Sequence, residues 1–356
     1  MINEIELKLR VSPEAFNILE HHLQQFHPLE HQRIFLANTY YDFPDHFLAK
    51  QKMGLRVRQE DQQVTLTLKT NGQVVGGLHS RPEYHLPLDE NQQPTKDQLL
   101  ALYPFEQLPD MPLKPIFSTD FNRTFWLIQF RNSKIEVAFD QGEIISGEGS
   151  QGICEIEFEL KEGEIEDLFT FVEKLPILTN VYFSSVSKAK RGYQLAQPVV
   201  LTDWLNQWRD FLQAEQEKGG EAKATFHRLF KMEQALVEET LSLPPSLFNQ
   251  DFMKTVERVG AFFNLYHYYE ESKPLFEALV KSHQAHPLSD EIIPQLLESN
   301  QTFLSEIQAL IRFHSETKDN EKTIEKLTAL FSTGLYVARM IKLMRLALLD
   351  EINQYH

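Results

Sequence analysis

Apolar and polar positions alternate every second residue over much of the first half of the chain. Beyond residue 200 they recur every third or fourth. In the first half Ile5, Leu7 and Leu9 interleave with Glu4, Glu6, Lys8 and Arg10. Val64, Leu66 and Leu68 interleave with Thr65, Thr67 and Lys69, and Ile135, Val137 and Phe139 with Glu136, Ala138 and Asp140. Ile153, Ile156, Phe158 and Leu160 flank or interleave with Glu155, Glu157 and Glu159. Further short strands are predicted at Leu55–Gln59, Pro82–Leu86 and Arg123–Arg131, with Asn71-Gly72 as a hairpin turn. Two helices interrupt them: Ser12–Gln25, capped by Ser12 with Pro13 at its first position, and Glu164–Lys174. Many antiparallel strands with few helices predict an α+β domain built on a closed or nearly closed barrel, over residues 1–198.

From Leu201 onward the pattern predicts an all-α helical bundle, residues 201–356. Trp204, Trp208, Phe211 and Leu212 form one apolar face, and Lys218-Gly219-Gly220-Glu221 ends that helix. Thr225–Leu241, Asp251–Tyr269, Leu275–His283, Ser289–Ser315 and Asn320–Ile352 read as further helices, punctuated by Pro244-Pro245, Pro274 and Pro287.

Charge narrows the choice of partner. The formal net charge is −16, and both halves carry an excess of acids. Neither offers the broad positive field that nucleic acid binding needs, so none is expected, and a polyanion would have to be met by a local group of bases. One cysteine, Cys154, excludes an intrachain disulfide and a cysteine-built zinc site. No apolar opening run and no stretch of eighteen apolar residues is present, so neither a signal peptide nor a membrane partner is expected, and a cytoplasmic location is.

The polar faces of the strands carry the candidate chemistry. Period two puts Glu4, Glu6 and Lys8 on one side, as it does Arg56 with Arg58, Arg81 with Glu83, Glu136 with Asp140, and Glu155 with Glu157 and Glu159. One such strand is most simply a solvated face. Several are harder to explain so, because a triple-glutamate face repels itself unless cations lie opposite. Lys8, Arg56, Arg58, Lys69, Arg81 and Arg123 are available for that position. A barrel that turned these faces inward would enclose both signs of charge. Guanidinium and ammonium groups would suit phosphate oxygens, and carboxylates would suit a hard cation such as Mg²⁺ or Mn²⁺.

The ordered set of motifs resembles the CYTH domain family, the triphosphate tunnel metalloenzymes. Glu4-Ile5-Glu6-Leu7-Lys8 matches its ExExK opening. Tyr40-Tyr41-Asp42 with Pro44, Gly54-Leu55-Arg56-Val57-Arg58, Leu68-Lys69, Arg81-Pro82-Glu83, Arg123, the acidic run Glu155–Glu159 and Ser187-Lys188 follow in the family's order. Gly76-Gly77-Leu78-His79, Phe117-Ser118-Thr119-Asp120-Phe121 and Ser187-Lys188-Ala189-Lys190-Arg191-Gly192-Tyr193 look closest to bacterial inorganic triphosphatases that join a CYTH domain to a helical CHAD domain. The resemblance implies an eight-stranded antiparallel tunnel. It implies Lys8, Arg56, Arg58, Lys69, Arg81, Arg123 and Lys188 as triphosphate ligands, and Glu4, Glu6, Glu157 and Glu159 as ligands of Mg²⁺ or Mn²⁺. It further implies Glu4, Glu6 and Lys8 as catalytic, and Glu83, Glu136, Asp140, Glu155 and Tyr41 as tunnel lining.

Two departures stand out. His85 occupies a position where an acidic residue often follows Glu83 at this spacing. The helical half lacks the His- and Arg-rich opening helix and dense basic surface of CHAD domains, and reads as a reduced or diverged one, with His227, Arg228 and Lys231 the faintest of echoes. The leading expectation is metal-dependent hydrolysis of inorganic triphosphate. The same tunnel could act on thiamine triphosphate or another organic triphosphate, perform class IV adenylate cyclase chemistry, or only bind polyphosphate. Of the remaining features, His21, His22, His27 and His31 read as a solvated helix end, Cys154 as a small apolar strand residue, Gly76-Gly77 as a hairpin element, and Arg339, Lys342 and Arg345 as a solvated basic stripe.

Overall fold

The computed structural model describes residues 2–89, 92–176, 180–195, 200–218, 221–282 and 287–348. The ends of the helices expected at Leu275–His283 and Asn320–Ile352 lie outside them. The chain divides into two compact units: Met1–Pro176 with Phe183–Val199, and Ile177–Tyr182 with Val200–His356.

Nine strands among the described residues up to 162 build the first unit: β1 (Ile2–Arg10), β2 (Glu30–Asp42), β3 (Gly54–Glu60), β4 (Gln63–Lys69), β5 (Gln73–Val75), β6 (Leu78–Leu88), β7 (Lys114–Phe130), β8 (Ser133–Ser146) and β9 (Gly149–Glu162). Eight of them close a ring of antiparallel pairs, β1-β9-β8-β7-β2-β3-β4-β6 and back to β1. Closure leaves no free edge between β1 and β6, so every strand of the ring is paired on both sides. The small β5 hairpins onto β6 through Gly76-Gly77, with Gly76 at φ 62. The hairpin therefore lies there rather than at Asn71-Gly72, which joins β4 to β5, two strands with no pairing between them among the described residues.

The alternation read from the sequence sorts the two faces. Leu7, Leu9, Val137, Phe139, Ile156 and Phe158 all point away from the charged positions and are buried. Helices α1 (Pro13–Leu23) and α4 (Ile165–Glu173) account for much of that cover. Phe16 stacks on Phe139 at 3.8 Å between ring centroids, and Phe171 meets Phe130 and Phe158 edge-on. Ser12 caps α1 by accepting from the Ala15 N–H. On the far side, α2 (Phe47–Lys50) and α3 (Lys96–Leu102) bury Leu48, Leu99 and Leu102 with Tyr41, Phe43, Leu55, Leu66 and Leu68. Asp42 shapes that corner, accepting backbone N–H bonds from Phe43, Leu48 and Ala49 and a hydroxyl bond from Tyr193. A last helix, α5 (Lys188–Leu195), packs on β7, β8 and β9.

The second unit comprises α6 (Trp204–Lys218), α7 (Ala222–Ser242), α8 (Phe252–Glu271), α9 (Lys273–Ser282), α10 (Pro287–Thr317), α11 (Asn320–Phe331) and α12 (Gly334–Ala347). No helix among the described residues is long and apolar enough to cross a membrane. Within the apolar core of this unit lies a buried charge pair. Arg339, 1% exposed, donates through Nε to Glu233 Oε1 at 2.9 Å and through Nη2 to Glu233 Oε2 at 3.2 Å. Arg339 Nη1 reaches Asn300 Oδ1 at 2.6 Å, and Tyr266 donates its hydroxyl to Glu233 at 2.9 Å. The guanidinium also lies over the rings of Tyr266 and Tyr269. The solvated basic stripe expected at Arg339, Lys342 and Arg345 is therefore corrected: Arg339 and Arg345 are buried, and the partner Glu233 stands on α7, far away in sequence.

Removing one member of a buried charge pair leaves the other uncompensated. Glu233→Ala is therefore expected to destabilise the helical unit by about 3–5 kcal/mol, whereas Glu233→Leu with Arg339→Met recovers most of that loss. Urea denaturation followed by helical circular dichroism measures both. A Glu233→Ala loss below about 1 kcal/mol would show the pair to be unimportant.

Candidate functional site inside the barrel

Nearly every strand of the ring places a polar side chain in its interior. Registers fix which ones meet. On β1 and β9, Lys8 stands opposite Glu157 and Glu6 opposite Glu159, while Glu136 and Asp140 on β8 stand opposite Glu159 and Glu155. Arg123 on β7 faces Asp140, Arg58 and Arg56 on β3 face Asn38 and Tyr40 on β2, and Lys69 on β4 faces Glu83 on β6. Arg81 on β6 faces Glu4. The charged faces predicted from period two thus share one interior.

Three groupings follow from the distances. The first lies at α5. Lys188 Nζ is 2.6 Å from Asp140 Oδ2, 2.6 Å from Glu155 Oε1 and 2.9 Å from Glu157 Oε1. Lys8 Nζ is 2.9 Å from the same Glu157 oxygen. Arg123 forks onto Asp140 with two 2.7 Å bonds and reaches Glu157 Oε2 at 2.5 Å. Arg191 closes the group, donating to Glu155 Oε2 at 3.0 Å. Burial would disfavour every one of these charges, yet Lys188, Lys8 and Arg123 hold the Glu157 carboxyl well below its usual range. Burial likewise opposes the Lys8 ammonium, and Glu157, Glu6 and Glu155 carry it well above its usual value.

The second grouping is an excess of cations. Arg58 Nε donates to the neutral Asn38 Oδ1 at 2.8 Å. Burial, then the neighbouring Arg56 and Arg123 guanidinium groups, push Arg58 down to about 9. Arg56 Nε is buried with no hydrogen-bond partner among the described residues. Crowded guanidinium groups with a spare buried N–H have the chemistry to accept anionic oxygens.

The third is an excess of carboxylates. Glu159 is pushed up to about 7, first by burial, with the pull of Lys161 opposed by Glu4 and Glu136. Lys161 Nζ lies 2.7 Å from Glu159 and 3.5 Å from Glu136. Nearby, Lys69 Nζ bonds Glu4 at 2.8 Å and also pairs with Glu83, holding Glu83 down at about 2 against the effect of burial. A carboxylate that burial and like-charged neighbours make hard to ionise fits a hard divalent cation, as does a donor set made only of carboxylate oxygens. One oxygen each of Asp140, Glu155 and Glu157 lies within 4.8 Å of the others, a spacing that also suits a cation, although Lys188 already serves those three.

The expected residues converge, with one exception. Tyr41 packs in the outer apolar cluster with Leu55 and Leu68, so its expected place in the lining is corrected. Its neighbour Tyr40, one step along a strand of period two, stands beside Arg56 on the inner face. His85 contacts the interior through Thr67 and Glu83, at 3.1 and 3.4 Å. Sequence reasoning assigned no role to Asn38, Lys161, Arg191 or His79. Arg191 could have been found from its position three residues after Lys188, on the same face of a helix.

The sequence model described as CYTH domain matches residues 3–193. A Haemophilus influenzae protein named inorganic triphosphatase is 64% identical over 348 residues, covering 98% of each chain. Among solved structures, the Hippeastrum protein HpAC1, described as having a dominant triphosphatase activity, is 22% identical, with a TM-score of 0.41 over 54% of this chain and 95% of its own. A solved inorganic triphosphatase is 16% identical, with a TM-score of 0.26 over 56% of this chain and 99% of its own.

If the Arg56–Arg58 region receives a polyanion, inorganic triphosphate added without metal stabilises the protein, by about 2.7 kcal/mol at a hundredfold excess over its Kd. Thermal unfolding reads this as a rise in Tm. The rise shrinks in Arg58→Ala, and an unmoved Tm in the unsubstituted protein excludes an anion receptor here.

Proposed function

The chain belongs to the CYTH domain family, and from that membership we propose that it hydrolyses inorganic triphosphate to pyrophosphate and phosphate inside the barrel. The observation that carries the reading is the segregation of charge within one interior: Arg58 is crowded by other guanidinium groups, with a spare buried N–H on Arg56, and Glu159 is raised by burial with Glu4 and Glu136 behind it. An anion and a divalent cation together would relieve both. The name of the Haemophilus influenzae relative supports the substrate.

Lys8, Arg56, Arg58, Lys69, Arg81, Arg123 and Lys188 are the proposed phosphate ligands. Their number suits a triphosphate, and their attachment to five strands and to α5 would fix the chain of phosphates in one orientation. Glu4, Glu6, Glu157 and Glu159 would hold Mg²⁺ or Mn²⁺, which when bound offsets the negative charge developing on the phosphate oxygens. Glu83, Glu136, Asp140 and Glu155 hold cations in place: Glu83 fixes Lys69, Asp140 orients the Arg123 fork, and Glu155 divides itself between Lys188 and Arg191. Because these groups are already oriented and shielded from water, little reorganisation accompanies reaction. Hydrolysis breaks one phosphoanhydride P–O bond. Water supplies the oxygen that forms the new P–O bond, and its protons pass to the products and solvent.

The helical unit is proposed to be a diverged CHAD domain, without an assigned phosphate site. A cytoplasmic location is proposed on the strength of a substrate found with the cell's soluble phosphates.

Purified protein with Mg²⁺ and inorganic triphosphate is expected to release phosphate. Lys8→Ala is expected to lower kcat about a hundredfold, the usual effect of deleting one electrostatic contact to a developing oxyanion. Glu159→Gln is expected to raise the Mg²⁺ concentration needed for half-maximal rate. A panel with thiamine triphosphate and ATP checks the substrate. Faster turnover of either, or cyclic AMP as the main product, overturns the proposal.

A further inference from the structure

His79 lies on β6, two residues before Arg81 and on the same face. It is 1% exposed. Its Nδ1 is 2.6 Å from Arg81 Nη2, and its Nε2 is 3.3 Å from the carbonyl oxygen of Ser184. These two partners fix its state. A guanidinium only donates, so Nδ1 must accept; a carbonyl only accepts, so Nε2 must donate. The ring is therefore the neutral Nε2–H tautomer. An imidazolium would point a second N–H at the guanidinium.

We infer that His79 is the positioning residue for Arg81, holding the guanidinium toward the barrel interior by the bond from Arg81 Nη2 to Nδ1 while the Ser184 carbonyl anchors the ring. This rests on the proposed role of Arg81 as a phosphate ligand. The anchor is itself built in. Ser184 N–H donates to the Lys8 carbonyl at 3.0 Å, and Lys8 N–H donates to the Gly77 carbonyl at 3.2 Å. Gly77 permits the approach: a Cβ there would lie 2.4 Å from the Phe183 ring. The four residues Gly76-Gly77-Leu78-His79 thereby acquire distinct tasks. Gly76 makes the turn, Gly77 admits Phe183 and Ser184, Leu78 is buried in the barrel wall, and His79 transmits the anchor to Arg81. An arginine held by a carboxylate would have its charge partly neutralised. Held by a neutral imidazole, it keeps its full charge for an incoming phosphate.

The test uses the full chain. Calorimetric titration of metal-free protein with inorganic triphosphate gives Kd, and Mg²⁺-dependent turnover gives KM and kcat. His79→Ala is expected to raise Kd and KM about tenfold while kcat stays within about twofold, and to add nothing in an Arg81→Ala background. His79→Asn, whose Oδ1 replaces the Nδ1 acceptor, holds KM within about threefold of the unsubstituted protein, and His79→Gln, which keeps only the donor to Ser184, does not. Should His79→Ala fail to fold, the contrast between Asn and Gln decides alone. An unchanged Kd in His79→Ala beside a raised Kd in Arg81→Ala overturns the inference and leaves the function standing. So does an equal loss from His79→Ala with and without Arg81, or rescue by Gln in place of Asn. An unchanged Kd in Arg81→Ala removes the phosphate role of Arg81, and the inference with it.

Discussion

Charge buried in a protein must meet its opposite there, and the barrel is organised around that requirement. Lys188, Lys8 and Arg123 neutralise Asp140, Glu155 and Glu157 in an interior from which water is largely excluded. Each pair joins different strands, or a strand and α5. The strong local interactions are thus also the ones that hold the ring to its register. A sheet with this many ionised side chains on one face would repel itself if opened flat. Closed, with apolar residues outward beneath α1, α3 and α4, it satisfies both faces at once.

Neutralisation is uneven, and the unevenness carries the chemistry. Where α5 enters, carboxylates and cations are matched. Around Arg58 there is spare positive charge, and around Glu159 spare negative charge. Burial is the first cause of the depressed Arg58 and of the elevated Glu159, and like-charged neighbours add to it at both, Arg56 and Arg123 at the one and Glu4 and Glu136 at the other. Sites that bind charged ligands keep such imbalances because the ligand corrects them.

Much of this was legible in the sequence, since period two is a property of the chain itself and places Glu4, Glu6 and Lys8 together without reference to the rest. The failures share a cause. β2 gave no clear signal because its inward residues, Leu36, Asn38 and Tyr40, are little more polar than Thr39 and Tyr41 on its other side. For the same reason the local pattern does not tell Tyr41, in the outer apolar cluster, from Tyr40 beside Arg56. Arg339 looked like a surface residue because its partner Glu233 is more than a hundred positions earlier, and no local pattern announces a partner so distant. His79 was visible within a motif, but its task depends on Ser184, which only the fold brings near.

The order in which the ring closes bears on how the protein is made. β1, which precedes every other strand of the ring, pairs with β9, and the carboxylates of β8 and β9 find Lys188 and Arg191 only when the chain has been extended past them. During synthesis the opening strand must therefore wait, unpaired on that side, through nearly the whole of the first unit. Such long-range closure is slow to nucleate, because the entropy of the intervening chain is lost before the contacts that reward it exist. The glutamates and lysine of β1 suit that interval. A nascent strand carrying Glu4, Glu6 and Lys8 on one face is a poor template for aggregation, so the side chains proposed to work on phosphate in the finished barrel also keep its first segment soluble until the last arrives.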